Sequence, residues 1–131
     1  QKLKKNRKVM DASILTPKDT VFSGNLDFLI IPGVEGDLGI LDNHSHLITT
    51  IRTGIVYCYK EKKILKKYLL DEGIFEFSNN KATLLTEFIE ELDQAEKKIR
   101  TSISQSGNQD NIEGTLKLKE KLNLIDNQYY V

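Results

Sequence analysis

The chain has 131 residues, of which 39% are hydrophobic and 29% are charged, and its formal net charge at pH 7 is zero. This size and composition predict a soluble protein with one compact domain, or a small domain with an appendage, and exclude two large domains. The balanced charge argues against a nucleic-acid partner, because domains that bind nucleic acid usually carry a basic excess. No run of 18 apolar residues occurs, so we expect no direct insertion into a membrane.

The first part of the chain has the apolar pattern of β-strands. Residues 9–15 (VMDASIL) alternate apolar and polar side chains, as a half-buried strand does. Further short apolar runs follow at 26–31, 55–59, 64–70, 74–77 and 81–86. The run at 55–59 is apolar on both faces, so we expect it to be covered on both sides. Asn79 and Asn80 favour a hairpin turn between the last two runs, because Asn tolerates positive φ. This pattern predicts a small antiparallel β-sandwich or barrel over residues 9–87, preceded by a basic extension at residues 1–8.

From residue 88 the apolar period changes from that of a strand to that of a helix. One apolar stripe comprises Phe88, Leu92, Ala95, Ile99 and Ile103. Turn-forming residues follow at 104–111, where Asp110 can cap a second helix. The stripe of that helix is looser and comprises Ile112, Leu116, Leu122, Ile125 and Tyr129. We therefore predict an antiparallel helical hairpin over residues 88–131, which must lean on the β domain or on another protein to cover its apolar stripes.

The stretch at residues 32–47 (PGVEGDLGILDNHSHL) combines glycines, carboxylates and two histidines. A phosphate-binding loop needs glycines that lead directly into a helix and a nearby Lys, and the stretch has neither. A metal site at Asp42, His44 and His46 is a second possibility, because two histidines at i,i+2 point the same way on a strand. Histidines near loops are more often structural, so we favour an exposed loop that contacts another protein, without metal or cofactor.

Catalysis receives little support from the sequence. A Gly-x-Ser-x-Gly nucleophile motif is missing, and Cys58 lies within a predicted strand with no His close in sequence. The prediction is therefore a binding protein and not an enzyme.

An ordered set of short motifs connects residues 14–56 with a known family. The motifs are Thr16-Pro17, Phe22-Ser23-Gly24, Pro32-Gly33, Glu35-Gly36, Gly39-Ile40-Leu41, His44, Leu47 and Gly54. Together they resemble the amino-terminal domain of the epsilon subunit of F-type ATP synthases, the subunit that is called delta in mitochondria. The likeness continues in the same order over about residues 9–127, with Gly73, Glu76 and Asn79 matching a later segment of the family.

The resemblance implies a non-catalytic rotor subunit of the central stalk, without a cofactor. Its β domain would couple the gamma subunit to the membrane c-ring, and its hairpin would inhibit ATP hydrolysis by reaching the α/β catalytic head. By family position, Glu35 and Asp37 would face the c-ring, and His44 and Leu47 would contact gamma. The complex would lie peripherally on the cytoplasmic side of a bacterial inner membrane, or on the inner face of a mitochondrial or plastid membrane.

The departures from the family pattern bear on ligand binding. Some bacterial members bind ATP on the hairpin through a Leu/Ile-Asp-x-x-Arg-Ala motif. Leu92 and Asp93 match it, but Glu96 replaces the Arg and would repel phosphate, so we predict no ATP binding. His46 stands where the family has Pro, which argues against a required metal ligand. Two alternatives stay open: a stand-alone β-sandwich module with a metal or small-ligand site, and the epsilon-like subunit of a specialised rotary ATPase.

Overall fold

The computed structural model of the chain describes residues 8–105 and 112–130, which form ten strands and two helices. The strands are β1 (Met10–Leu15), β2 (Thr20–Leu26), β3 (Phe28–Gly33), β4 (Gly36–Leu41), β5 (Leu47–Ile51), β6 (Gly54–Lys60), β7 (Lys63–Leu70), β8 (Gly73–Ser78), β9 (Lys81–Thr86) and β10 (Ile89–Glu91). The helices are α1 (Leu92–Gln105) and α2 (Ile112–Asp126). The predicted architecture, a β-sandwich followed by two helices, is confirmed.

Within the described part of the chain, neither helix has the combination of length and apolar character that crossing a membrane requires.

The strands form one hydrogen-bonded sheet that bends into two facing halves. Its order is β10-β7-β6-β3-β5-β8-β9-β1-β2, and β4 pairs with β3 outside this path. Strand β3 joins the halves, because residues 28–30 pair with β6 while Gly33 pairs with Ile51 of β5. Among the described residues the pairings are antiparallel, except that β1 lies parallel to β9. The local sequence pattern does not predict this parallel pair, since it depends on which strands meet after a long connection.

One apolar core fills the space between the two halves. Alternation along β8 shows how the sequence builds it, since Phe75 and Phe77 are fully buried while Ile74 and Glu76 face outward. The larger buried members from the other strands are Met10, Ile14, Leu26, Leu29, Ile31, Ile40, Ile51, Val56, Tyr68, Leu70 and Leu84. The predicted β8–β9 turn is confirmed, because Asn79 and Asn80 adopt φ of 52° and 57°.

A second apolar cluster lies on the outside of the first half, where the two helices cover β3, β6 and β7. Its buried members are Ile30, Ile55, Tyr57 and Leu69 from the strands, and Leu92, Ala95, Ile99 and Ile125 from the helices. Strand β6 is therefore covered on both faces, as predicted. Its Val56 and Cys58 side chains belong to the inner core, and Ile55 and Tyr57 lie beneath the helices.

The start of the first helix differs from the prediction. Helix α1 begins at Leu92, and residues 89–91 form β10, which pairs with β7. The expected helical stripe is therefore wrong at Phe88, whose side chain is 69% exposed. The physical reason is that Ile89 packs against the inner core while its backbone extends the sheet, so tertiary contacts override a helical spacing that continues through Leu92.

The stripe of the second helix is also partly wrong. Leu118, Leu122 and Ile125 face the outer cluster, whereas Leu116 and Tyr129 are exposed. Leu116 and Leu122 are six residues apart, which at about 100° per residue places them on different sides of a helix. The predicted turn from residue 106 onward and the capping residue Asp110 lie outside the described residues.

Candidate functional site

The stretch predicted as a contact loop contains a strand. The prediction is wrong for residues 36–41, which form β4 and pair along the whole length of β3. Leu38 and Ile40 point toward the inner core. The other face of β4 carries Asp37 and Gly39. With these residues at the outward positions, the sequence pattern does not indicate a strand. Between β3 and β4 the turn consists of Val34 and Glu35, and both are exposed. We call residues 33–37 the tip.

Glycine is required at the base of the tip. A Cβ on Gly33 would lie 2.9 Å from the Gly36 carbonyl oxygen, closer than real contacts allow. Gly36 itself adopts φ of 137°, a conformation that other residues rarely take. The glycines therefore serve a tight hairpin.

Arg52 braces this hairpin from the end of β5. Its backbone N–H donates to the Pro32 carbonyl at 2.9 Å. Its guanidinium donates to the Gly33 carbonyl and forms an ion pair with Asp37 at 2.7 Å. Both charged side chains are partly exposed, and such pairs contribute about 1 kcal/mol or less. The pair thus serves mainly to orient Asp37, whereas Glu35 projects free of this brace.

The two histidines do not converge on one point. The Nδ1 atom of His44 lies 2.8 Å from the Ser45 carbonyl oxygen, and its ring meets Phe77 edge-on at 5.8 Å. His46 is exposed and lies 3.9 Å from the Glu76 carboxylate. Over residues 8–105 and 112–130, no three His, Cys, Asp or Glu side chains are close enough together to hold a metal ion. The metal-binding alternative gains no geometric support there.

The turn that carries His44 is anchored to two other parts of the fold. Asn43 adopts φ of 59°, a left-handed conformation that Asn tolerates better than most residues. Its N–H donates to the Asn80 side chain at 2.7 Å, and Asn80 donates to the Val9 carbonyl at 3.0 Å. One asparagine therefore fixes the turn before β5, the β8–β9 turn and the start of β1 relative to one another.

Cys58 is unsuited to nucleophilic chemistry. Its side chain is fully buried in the inner core. Burial raises the pKa of its thiol to about 12, so almost no thiolate forms at neutral pH.

An apolar patch lies on the outer face of the second half of the sheet. Ile48, Ile74 and Leu85 are 63%, 53% and 48% exposed, and register pairs Ile74 directly with Leu85. Beside them runs a groove of about 820 Å³ that ends at the exposed Phe88. We call Ile48, Ile74, Leu85 and Phe88 the outer patch. Exposed apolar patches of this kind mark protein contacts more often than chance.

The outer patch was not predicted from the sequence, although the sequence carries a signal for it. On three neighbouring strands two large apolar residues are adjacent: Leu47-Ile48, Ile74-Phe75 and Leu84-Leu85. Because side chains alternate along a strand, one member of each pair must face outward. Leu47 is the inward member of its pair and packs against the inner core. Its predicted contact with gamma stays a prediction, and Ile48 is the more accessible neighbour.

The residues of the degenerate ATP motif lie at the start of α1. Leu92 is buried in the outer cluster, and Asp93 is exposed. Glu96 accepts a hydrogen bond from Arg100 at 2.9 Å, and Arg100 also bonds Asp126 at 2.8 Å. The hydrogen bond to Glu96 raises the pKa of Arg100. This cation is thus already satisfied by two carboxylates.

These features define a class of protein: a β-sandwich with an exposed charged tip and an exposed apolar patch, and with a docked pair of helices. Residues 9–92 match the family model described as the ATP synthase, Delta/Epsilon chain, beta-sandwich domain. The chain belongs to this family, which confirms the resemblance drawn from the motifs.

Comparisons with individual proteins agree with this membership. The ATP synthase epsilon chain of Pelotomaculum thermopropionicum is 41% identical over 91 residues, which cover 67% of this chain and 67% of that protein. A chain in the Euglena gracilis mitochondrial ATP synthase (OSCP/F1/c-ring) has a TM-score of 0.64 at 13% identity, covering 92% of this chain and 79% of that one. A chain in the central stalk/c-ring of the Tetrahymena thermophila mitochondrial ATP synthase has a TM-score of 0.61 at 16% identity, covering 89% and 93%. At these identities the two structures establish the fold.

Proposed function

We propose that the chain is a non-catalytic subunit of an ATP synthase central stalk, where it links the gamma subunit to the c-ring. The observation that carries the proposal is the outer patch, an apolar contact surface on a member of the delta/epsilon family. A subunit of this kind acts by holding partners in register, so it needs contact surfaces and no catalytic residues.

The outer patch and the neighbouring turn form the surface proposed for gamma. Ile48 continues the strand that begins at Leu47, and His44 lies in the turn just before it. Apolar side chains that lose water at the centre of an interface supply most of its affinity. We therefore assign Ile48 and Ile74 to the centre of this contact and His44 to its rim.

The tip is the surface proposed for the c-ring. Glu35 and Asp37 project from a hairpin that two glycines and Arg52 hold in one shape. Charges at the rim of an interface set orientation and association rate more than affinity. Two carboxylates on a stiff hairpin suit a contact with the polar loops of a ring. Through this contact the chain would lie peripherally on the cytoplasmic side of a bacterial inner membrane.

The helical hairpin is proposed to regulate the enzyme. In the described state Leu92, Ala95, Ile99 and Ile125 of the hairpin are buried against β3, β6 and β7. A hairpin that leaves the sheet would need a new partner for those side chains. The α/β catalytic head is the partner proposed, and inhibition of ATP hydrolysis is the proposed consequence.

The outer patch can be tested with charged substitutions and a matched control. We expect Ile48→Glu and Ile74→Glu each to weaken binding to purified gamma by at least about tenfold, because each buries a charge in an apolar contact. Leu65→Glu is the control, since Leu65 is 48% exposed on β7, outside the patch. Isothermal titration calorimetry with purified gamma measures the dissociation constant of each of the three variants, and circular dichroism checks that each variant is folded. Equal affinities for all three variants would contradict the proposed surface.

Co-purification separates the proposal from the alternative of a stand-alone module. A central-stalk subunit expressed with a tag should bring down gamma and the α/β head. Recovery of the folded chain without them would favour the stand-alone module.

A further inference from the structure

The groove of about 820 Å³ beside the outer patch, which we call the outer groove, is lined by both apolar and acidic side chains. Ile74 and Leu85 are among its apolar members. The charged residues among the described ones that line it are Asp71, Glu72 and Glu87, with no Lys, Arg or His. A segment that fills the groove therefore meets apolar surface and negative charge together. An apolar segment with a basic side chain complements such a surface.

One of these carboxylates already has a cation from the helices. The ammonium of Lys121, on α2, lies 2.5 Å from the carboxylate of Asp71. The two side chains are 29% and 41% exposed, so the pair is only partly open to water. Asp71 and Lys121 also line a second cleft, of about 670 Å³, between α2 and the end of β7. Since Asp71 lines both cavities, it can be reached from the outer groove as well as from α2.

The backbone around Asp71 is fixed independently of the helices. Its N–H donates to the Phe88 carbonyl at 3.1 Å, and its carbonyl accepts a hydrogen bond from the Thr53 hydroxyl. Two residues later, a Cβ on Gly73 would collide with the Leu85 carbonyl oxygen, so the chain passes β9 too closely to shift. We therefore expect Asp71 to keep its position on the groove whether or not α2 is docked.

Lys121 has no substitute within the described part of the chain. It is the one Lys or Arg there that lies within 4 Å of the Asp71 carboxylate. Lys98 lines a neighbouring cavity together with Asp71, but it pairs with Glu90 at 2.5 Å. When α2 leaves the sheet, Asp71 therefore becomes an uncompensated negative charge on the groove, and its attraction for a cation increases.

We propose that the outer groove binds an apolar segment that carries a basic side chain, and that this side chain competes with Lys121 for Asp71. Binding in the groove then loosens α2. Docking of α2 weakens binding in the groove by the same factor, because coupling between two sites is reciprocal. The inference rests on the proposed function, in which the partner on this surface is gamma. It adds a chemical character to that contact and connects it to the position of the helical hairpin.

Amide hydrogen exchange of the isolated chain tests the part played by Lys121. Lys121→Met and Asp71→Asn should each speed exchange of residues 117–126 about twofold to fivefold, the range expected for a partly exposed ion pair. The double variant should be no faster than either single variant, because both remove the same contact. Lys117→Met and Glu72→Gln are matched controls and should leave these amides unchanged. Unchanged exchange in both Lys121→Met and Asp71→Asn would overturn the proposal.

Isothermal titration calorimetry with purified gamma tests the competition. Lys121→Met should tighten binding about twofold to fivefold, because Asp71 is then free to pair with the partner. Asp71→Asn should weaken binding, and Lys121→Met should have no effect in that background. Lys117→Met, which removes a charge one turn away on α2, should leave the affinity unchanged. If Lys121→Met tightens binding equally in both backgrounds, or in neither, Asp71 is not shared and the proposal fails.

Exchange in the complex provides a second readout. Saturation with gamma should speed exchange of residues 117–126 in the unmodified chain and leave them unchanged in Asp71→Asn. Slower or unchanged exchange in the unmodified chain would contradict the competition. If Ile74→Glu leaves the affinity for gamma unchanged, the assigned gamma contact fails and this inference fails with it. If Ile74→Glu weakens binding while Asp71→Asn does not, the gamma contact stands and this inference alone fails.

Discussion

The two apolar clusters predict that the helices open without unfolding the β-sandwich. Ile99 and Ile51 offer a matched pair of probes, because both are buried isoleucines, at 6% and 0% exposure, in different clusters. Ile99 lies between α1 and the sheet, and Ile51 lies in the inner core. Replacing each with Ala removes the same atoms from the two interfaces.

The magnitude follows from the burial. Truncating a buried Ile to Ala costs about 2–4 kcal/mol at sites of this kind. Ile99→Ala weakens a contact that is present only while the hairpin is docked. The substitution therefore lowers both the free energy of undocking and the free energy of unfolding. Ile51→Ala weakens a core that the docked and undocked states share. This substitution lowers the free energy of unfolding and leaves the free energy of undocking unchanged.

Hydrogen exchange measured by mass spectrometry distinguishes the two effects. Ile99→Ala should speed exchange of residues 93–104 by about 30-fold to several hundredfold, at about 1.4 kcal/mol per factor of ten. Ile51→Ala should leave those residues within about twofold of the unmodified chain while it speeds the slowest amides of β8 and β9. If Ile51→Ala fails to fold, Ile51→Val gives the same test with a smaller change. Equal acceleration of α1 by both variants would refute independent opening of the hairpin.

Two further predictions concern the hairpin. Calorimetry should detect no saturable ATP binding below about 1 mM, because Glu96 and Asp126 already neutralise Arg100; a sub-millimolar dissociation constant would contradict this. A chain that ends after Glu91 keeps β10 paired with β7, and a reconstituted α/β head should hydrolyse ATP faster with it than with the full chain. Equal rates would remove the inhibitory role from the hairpin.

Much of the fold is predictable because local patterns suffice for it. Alternation predicts β1, and the apolar run at 55–59 predicts a strand covered on both faces. Asn79 and Asn80 predict a tight turn because few other residues accept positive φ. Strand β4 is missed because Asp37 and Gly39 alternate with only two inward apolar residues, Leu38 and Ile40.

The candidate contact surfaces are less predictable. Adjacent apolar pairs such as Ile74-Phe75 indicate that one apolar side chain faces outward. Only the order of the strands in the sheet shows that these outward side chains form one patch. The ion pair between Asp37 and Arg52 joins residues 15 positions apart and depends on where β5 meets the β3–β4 hairpin. Family position alone assigns Asp37 to one partner, whereas the structure gives it a second partner within the same molecule.

The parallel pairing of β1 with β9 also determines the order in which the protein can fold. The β1–β2 hairpin precedes the other described strands in the chain, yet among these strands it pairs with the rest of the sheet through β9 alone. During synthesis, β1 therefore lacks its β9 partner until residues 81–86 have left the ribosome. Contacts between distant parts of a chain form slowly, and apolar strands that wait for them are prone to aggregate. Strand β1 is therefore among the last of the described strands to complete its pairing.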